Sequence, residues 1–337
     1  MERVLITGGD GFIGSHLARH LYLQGNFVRV VDIKFGSYIQ ERYYSERLKL
    51  DLRNFRNCLT ATKGIEKVYN LAANMGGIGF ITAVGAEILH DNVLINTNML
   101  EASVQNKVKR YLFSSSACVY PTYKQRDTTA KGLKEEDAYP ADPDNFYGWE
   151  KLVAEKMCEA YKRDHNLDIR IARYHNIYGP EGTYKGGREK SIAALCRKAA
   201  MYPDEDFIIW GDGKQTRSYC YIDDCVKGTI MLMESDFDEP INIGSERLVT
   251  IDQLADMVIK ISGKKIAKKY DLTAPQGVRG RNADISLARK ALCWEPKVSL
   301  EEGLAKTYRW IEMKCHEDRK SMSAVAQVNH TSCRDCQ

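Results

Sequence analysis

Short apolar runs alternate with stretches of helical spacing along most of this chain. Val4–Thr7, Phe27–Asp32, Val68–Ala72, Tyr111–Ser114 and Ile169–Arg173 have the length and composition of strands. Between them, Ile13–Leu23, His90–Gln105 and Tyr147–His165 repeat apolar residues every three or four positions, the period of an amphipathic helix. Apolar strands separated by helices predict an α/β fold, a Rossmann-like doubly wound parallel sheet covered on both faces.

After about Tyr174 the rhythm loosens. Gly179–Gly187 reads as a glycine-rich loop, Ser191–Ala200 as a helix, and Phe207–Trp210 and Ser218–Ile222 as strands. Asp223–Glu234 is helical, Thr250 is suited to cap a helix through Ile261, and Ile285–Leu292 and Leu300–Lys314 are helical again. These signals predict two domains. Residues 1–174 form the doubly wound one, to which the chain returns around 217–240. Residues 175–216 and 241–315 form a smaller α/β domain. Beyond Cys315 the sequence is polar and aperiodic, so 316–337 is expected to be a disordered tail.

Composition removes several function classes. The 337 residues carry a net charge of +4 with no basic stripe, which argues against a nucleic-acid partner. No apolar run approaches the roughly 18–20 residues that span a bilayer, so no membrane is expected. Glu2–Thr7 already reads as a strand and leaves no room for a signal peptide, which points to the cytoplasm. The ten cysteines lack framework spacing and are expected to be reduced. Cys333 and Cys336 have CxxC spacing near His330, but no second CxxC completes a zinc site, and no metal is expected.

The first strand runs into Thr7-Gly8-Gly9-Asp10-Gly11-Phe12-Ile13-Gly14. Glycines at 8, 11 and 14 suit a tight turn, close approach of backbone to a pyrophosphate, and close packing of helix on strand. The helix that begins at Phe12 and Ile13 would then offer its free N–H groups to the phosphates. A second strand ends at Asp32, where a carboxylate can accept both ribose hydroxyls and repel a 2′-phosphate. That favours NAD over NADP. Asp51 follows a possible third strand and is a weaker candidate for the adenine end. Further on, Ser114–Ser116 end a sheet strand at its carboxyl edge, where doubly wound folds place ligands. Tyr147 and Lys151 lie one helical turn apart on one face. An ammonium and an oxidised nicotinamide ring would both favour the phenolate, as general base catalysis needs.

These residues resemble the extended short-chain dehydrogenase/reductases, the nucleotide-sugar epimerases and dehydratases, from Glu2 to about Lys314. The resemblance implies that Tyr147 takes a sugar hydroxyl proton while hydride passes to NAD, that Lys151 orients the ribose, and that Ser116 polarises the substrate oxygen. It also implies that Leu71 lies along the cofactor. Asn70–Gly77, Ser115–Cys118, His175–Pro180, Lys185–Lys190, Trp210–Gly213, Gln215–Ser218 and Val278–Arg281 further resemble the branch that inverts GDP-mannose at carbons 3 and 5. The implied route is transient oxidation at carbon 4, which acidifies both neighbouring C–H bonds. Cys118 and Lys190 would then deprotonate and reprotonate on opposite faces, an ammonium on Lys190 favouring a thiolate on Cys118. Gly76, Gly77, Asn176, Glu189, Lys198, Gln215, Arg217 and Arg281 would hold the sugar nucleotide, with Arg281 on the diphosphate. The helices near 90–105 and 147–165 resemble the family's dimer bundle, so a homodimer is expected. One departure is Asn74, where that branch carries Asp.

Four readings compete. A GDP-fucose-synthase-like reductase would epimerise the same carbons and then consume NADPH, against which Asp32 argues. A 4-epimerase would not need Cys118 and Lys190, and a 4,6-dehydratase would carry an Asp–Glu pair where Ala117-Cys118 stands. A non-catalytic nucleotide-sugar sensor would not need Tyr147, Lys151 and Cys118 together.

Overall fold

The computed structural model describes residues 1–36 and 41–332. The strands, in chain order, are β1 (Arg3–Thr7), β2 (Phe27–Asp32), β3 (Glu46–Lys49), β4 (Lys67–Asn70), β5 (Arg110–Ser116), β6 (Asp168–Tyr174), β7 (Ile177–Tyr178), β8 (Phe207–Trp210), β9 (Thr216–Ser218), β10 (Cys220–Tyr221), β11 (Pro240–Ile243), β12 (Leu248–Thr250), β13 (Lys268–Asp271) and β14 (Gly280–Arg281). The helices are α1 (Phe12–Leu23), α2 (Phe55–Thr62), α3 (Ile78–Ala83), α4 (Gly85–Gln105), α5 (Phe146–His165), α6 (Ser191–Met201), α7 (Ile222–Glu234), α8 (Ile251–Ser262), α9 (Ser286–Leu292) and α10 (Leu300–Ser332).

Seven strands form one parallel sheet in the order β11-β6-β5-β4-β1-β2-β3. Val4, Ile6, Val28 and Val30 face one apolar layer with α1, while Leu5, Val31, Val68, Tyr111 and Phe113 face another with α4 and α5. Burial on both faces explains why these strands read as apolar runs. The order reverses at β1, between β2 and β4, and that switch point opens a crevice at the carboxyl edge.

The short β11 was not legible as a strand, because it opens on Pro240. It occupies a sheet edge, where a missing N–H does no harm. α7 and β11 both pack on the main sheet, whereas β9 pairs with β12 and β14 in a separate three-stranded sheet. The later chain thus meets the main sheet through α7 and β11. α8 begins at Thr250 with a reciprocal capping box to Gln253.

The tail differs from its expectation of disorder, since α10 continues to Ser332. Its extension past Cys315 contains no glycine or proline and is tied to the body. Asp318 accepts from Tyr184 Oη at 2.7 Å and pairs with Lys185 at 2.6 Å, and Arg319 pairs with Asp204 at 2.6 Å. Cys333 and Cys336 lie outside the described residues. Among the described residues no helix is long and apolar enough to cross a membrane, and no group of three or more His, Cys, Asp or Glu side chains could hold a metal ion.

Candidate active site

A cleft of ≈ 1340 Å³ runs along the carboxyl edge of the sheet and is also lined by side chains from the 187–219 and 271–281 regions. Every residue singled out above as a cofactor, substrate or catalytic candidate lines it. One end is the dinucleotide turn. Gly8 has φ +65°, a conformation that disfavours a side chain, and a Cβ on Gly14 would lie 2.2 Å from the Gly8 carbonyl oxygen. α1 starts at Phe12 with no side chain capping its first N–H groups. Those groups are therefore available to a pyrophosphate. Asp32 sits at the end of β2, where Oδ2 accepts from the Asp10 amide at 3.1 Å. Burial raises its pKa above the usual carboxylate value, a cost that bonds from ribose hydroxyls would offset. Asp51 is held by Arg53 at 2.7 Å and still lines the cleft. The cradle, the uncapped helix and the carboxylate fit a dinucleotide without a 2′-phosphate.

Tyr147 and Lys151 meet this end from α5. The phenol is buried, 7% exposed, between Ile81, Ile88 and the half-buried Cys118. Lys151 is 1% exposed, its Nζ 4.8 Å from the Phe113 ring centre and 5.4 Å from that of Tyr147. Burial pushes Tyr147 well above the usual value, and Glu150 and Cys118 add to that, while the bond to Ser116 opposes it. Lys151 does not act alone, because Glu150 lies 3.5 Å from its Nζ.

Cys118 lies on the turn after β5, its amide bonded to Ser116 Oγ at 3.1 Å. The family resemblance implies a diphosphate contact for Arg281. The fold places Arg281 Nη1 3.3 Å from Cys118 Sγ, with Nε on Gln125 Oε1 at 2.5 Å and Nη2 3.7 Å from Asp144. Nη2 is buried and makes no hydrogen bond, so this guanidinium can reach a ligand while it touches the thiol. Lys190 opens α6 and is exposed to the cleft. Protein surrounds it there, and that desolvation lowers its pKa, with Cys118 and Cys225 opposing.

The substrate end combines unpaired polar atoms with crowded cations. Burial lowers the Arg217 pKa to about 10, and repulsion from Arg281 adds to it. An anion between the two would relieve both effects. Gln215 Oε1 and Glu189 Oε2 are buried without partners, and Gln215 Nε2 bonds Trp210 O at 2.9 Å. Asn176 has φ +43°, unusual away from glycine, and bonds Ser218 O at 2.9 Å. Lys198 Nζ bonds Ile208 O at 2.5 Å beside the half-exposed Trp210. A Cβ on Gly77 would lie 2.3 Å from Glu189 O, and Gly76 abuts Phe80, so the 74–80 and 185–190 segments close on each other here. Asn74 joins them, accepting from Arg188 at 3.2 Å and donating to Asp91 at 3.2 Å. Sequence reasoning missed Glu150, Gln125 and Asp144. Glu150 stood inside the Tyr-Gly-Trp-Glu-Lys motif in plain view; the other two have no motif.

The sequence model of the NAD dependent epimerase/dehydratase family matches residues 4–244. The GDP-mannose 3,5-epimerase of Arabidopsis thaliana is 46% identical over 96% of this chain and 86% of its own. A GDP-L-fucose synthase of Escherichia coli (strain K12) is 30% identical, covering 92% of this chain and 96% of that one. The crystal structure of a UDP-glucuronic acid 4-epimerase from Bacillus cereus, solved with UDP-glucuronic acid and NAD, superimposes with a TM-score of 0.79 at 28% identity. It covers 93% of this chain and 99% of that one.

Proposed function

The chain belongs to the NAD dependent epimerase/dehydratase family, and from that premise we propose that it epimerises GDP-mannose at carbon 3, carbon 5 or both. The observation that carries this reading is Cys118, with Arg281 on its sulfur, in the same cleft as Tyr147 and Lys190. A hydride-transfer pair alone serves a 4-epimerase. A second acid/base pair beside it serves inversion of neighbouring carbons.

NAD, when bound, takes up the hydride from carbon 4 and later returns it. Tyr147 accepts the hydroxyl proton, and Lys151 orients the ribose. The resulting ketone acidifies the C–H bonds on both sides. Cys118 and Lys190 remove a proton from one face and supply one to the other. The guanidinium of Arg281 lies 3.3 Å from the sulfur, and the lowered pKa of Lys190 leaves more of its amine unprotonated and able to accept a proton. Arg217 and Arg281 hold the diphosphate, with Gly76, Gly77, Asn176, Glu189, Lys198 and Gln215 around the rest of the sugar nucleotide. Carbon 4 is reduced at the end, so no net oxidation occurs.

The test is turnover in heavy water. Deuterium should enter carbons 3 and 5 of GDP-mannose, and Cys118→Ser and Lys190→Ala should abolish entry while NAD still binds. No exchange, with steady NADPH oxidation on a 4-keto sugar, would replace this reading by that of a fucose-synthase-like reductase. We also propose a homodimer through α4 and α5, since Phe146, Trp149 and Val153 stand 58%, 40% and 46% exposed on one face of α5. The eight described cysteines are all free, which supports a reducing, cytoplasmic location.

A further inference from the structure

A carboxylate stands behind the Tyr147–Lys151 pair. Glu150 is 0% exposed. Its Oε1 accepts from Asn92 Nδ2 at 2.8 Å and its Oε2 from Asn96 Nδ2 at 3.3 Å, both on α4, and Lys151 Nζ lies 3.5 Å from Oε1. The bonds continue inward. Asn70 Nδ2 donates to Asn96 Oδ1 at 3.0 Å, and Thr7 Oγ1 donates to Asn70 Oδ1 at 2.7 Å. Thr7 Oγ1 then accepts from the Leu71 and Ala72 amides at 3.0 Å each. Asn92 also braces the Asn74 backbone, accepting from its amide at 2.6 Å and donating to its carbonyl at 3.2 Å. Glu150 is thus tied through side chains to the end of β1, the end of β4 and the loop below the sugar.

Burying an ion pair this deeply adds little to folding, because an apolar pair would serve as well or better. The charge acts on the site instead. We propose that Glu150 is a positioning residue for the hydride-transfer pair. It holds Lys151 Nζ against α4 and offsets the ammonium's field on Tyr147. The phenol then keeps its proton until a positively charged nicotinamide ring adds its own field. The proposal rests on the roles given to Tyr147 and Lys151 above. It also explains how carbon 4 is restored. The proton taken from the hydroxyl stays on Tyr147 while Cys118 and Lys190 act, and returns to the carbonyl oxygen as the C–H bond re-forms. The titratable groups facing Tyr147 are Glu150 and Lys151 on its own helix and Cys118 on the turn after β5. Ile81 of α3 and Ile88 of α4 bring none.

Glu150 Oε1 is 3.5 Å from Lys151 Nζ, which is 5.4 Å from the Tyr147 ring centre, and unit charges within about 9 Å at an effective dielectric of about 20 shift a pKa by about one to two units. The test compares Glu150→Gln, which removes the charge, with Glu150→Asp, which keeps it. Proton release on NAD binding is measured by calorimetry in buffers of different ionisation enthalpy across the pH range, with no sugar present. In Glu150→Gln the midpoint of release should move down by about one to two pH units. In Glu150→Asp it should stay near the wild-type value. The acid limb of deuterium exchange into GDP-mannose should move in parallel. An unmoved midpoint in Glu150→Gln, or an equal shift in both variants, overturns the proposal. If wild-type enzyme shows no exchange, the epimerase reading falls, and the calorimetric arm still decides Glu150. Should Glu150→Gln fail to fold, Glu150→Met, a neutral side chain of similar length, must lower the midpoint in the same way; no drop overturns the proposal.

Discussion

Gly148 follows Tyr147 on α5, and its missing side chain lets two parts of the site touch. A Cβ there would lie 2.2 Å from the carbonyl oxygen of Cys118 and 2.8 Å from Pro143 Cβ. Neither obstacle can swing aside, since one is backbone and the other a proline ring. The helix start is pinned as well, because the Gly148 amide donates to Asn145 Oδ1 at 3.0 Å. Gly148→Ala must therefore move the Cys118 turn away from Tyr147 by about 1 Å to restore ordinary contact. Overpacking of this kind costs about 1–3 kcal/mol of stability. A displacement of about 1 Å between reacting groups costs on the order of 10²-fold in rate. The assay is deuterium incorporation into GDP-mannose, with NAD affinity and thermal unfolding measured alongside. Turnover should fall roughly 100-fold while NAD affinity changes by less than about threefold, because the dinucleotide turn is untouched. Turnover within about twofold of wild type would refute the argument that this glycine sets the Cys118–Tyr147 spacing.

Glu155 and Arg173 form a buried bidentate pair at 2.9 and 2.7 Å, and Ser115 Oγ donates to the same carboxylate at 2.5 Å. Glu155→Ala strands the guanidinium and should cost about 3–5 kcal/mol in urea unfolding; a loss under about 1 kcal/mol would contradict this. His175 is fully buried, and burial lowers its pKa to about 3. The unfolded chain takes up a proton on this ring below about pH 6.5, and the folded chain does not until about pH 3. Stability should fall by up to about 1.4 kcal/mol per pH unit as pH drops through that window, and His175→Gln should flatten the slope by that amount. An unchanged slope in the variant would assign the acid sensitivity elsewhere. Trp149→Asp places a charge on the exposed face of α5 and should give a monomer in sedimentation; a persisting dimer would place the interface elsewhere.

The first half of the fold was legible because its information is local. Parallel strands buried on both faces are mostly apolar, and the helices between them carry a 3.6-residue stripe. The glycine turn and Asp32 could be placed from spacing alone, since a strand, a turn and a helix fix where their ends lie. The second half was less clear. Its strands are two to four residues long and pair across large sequence gaps, as β9 does with β12 and β14. β11 hid behind Pro240, and the extension of α10 depends on Asp318 and Arg319 finding partners from the 184–204 region.

The sequence by itself determined the doubly wound sheet, the dinucleotide turn and which side chains bring the chemistry. Tertiary structure decided what those side chains meet. Cys118 and Arg281 are 163 residues apart in the chain and 3.3 Å apart in space. Glu150 and its two asparagines come from different helices. A charge acts through its distance to other charges and its separation from water. Both are set only when the chain has closed around it.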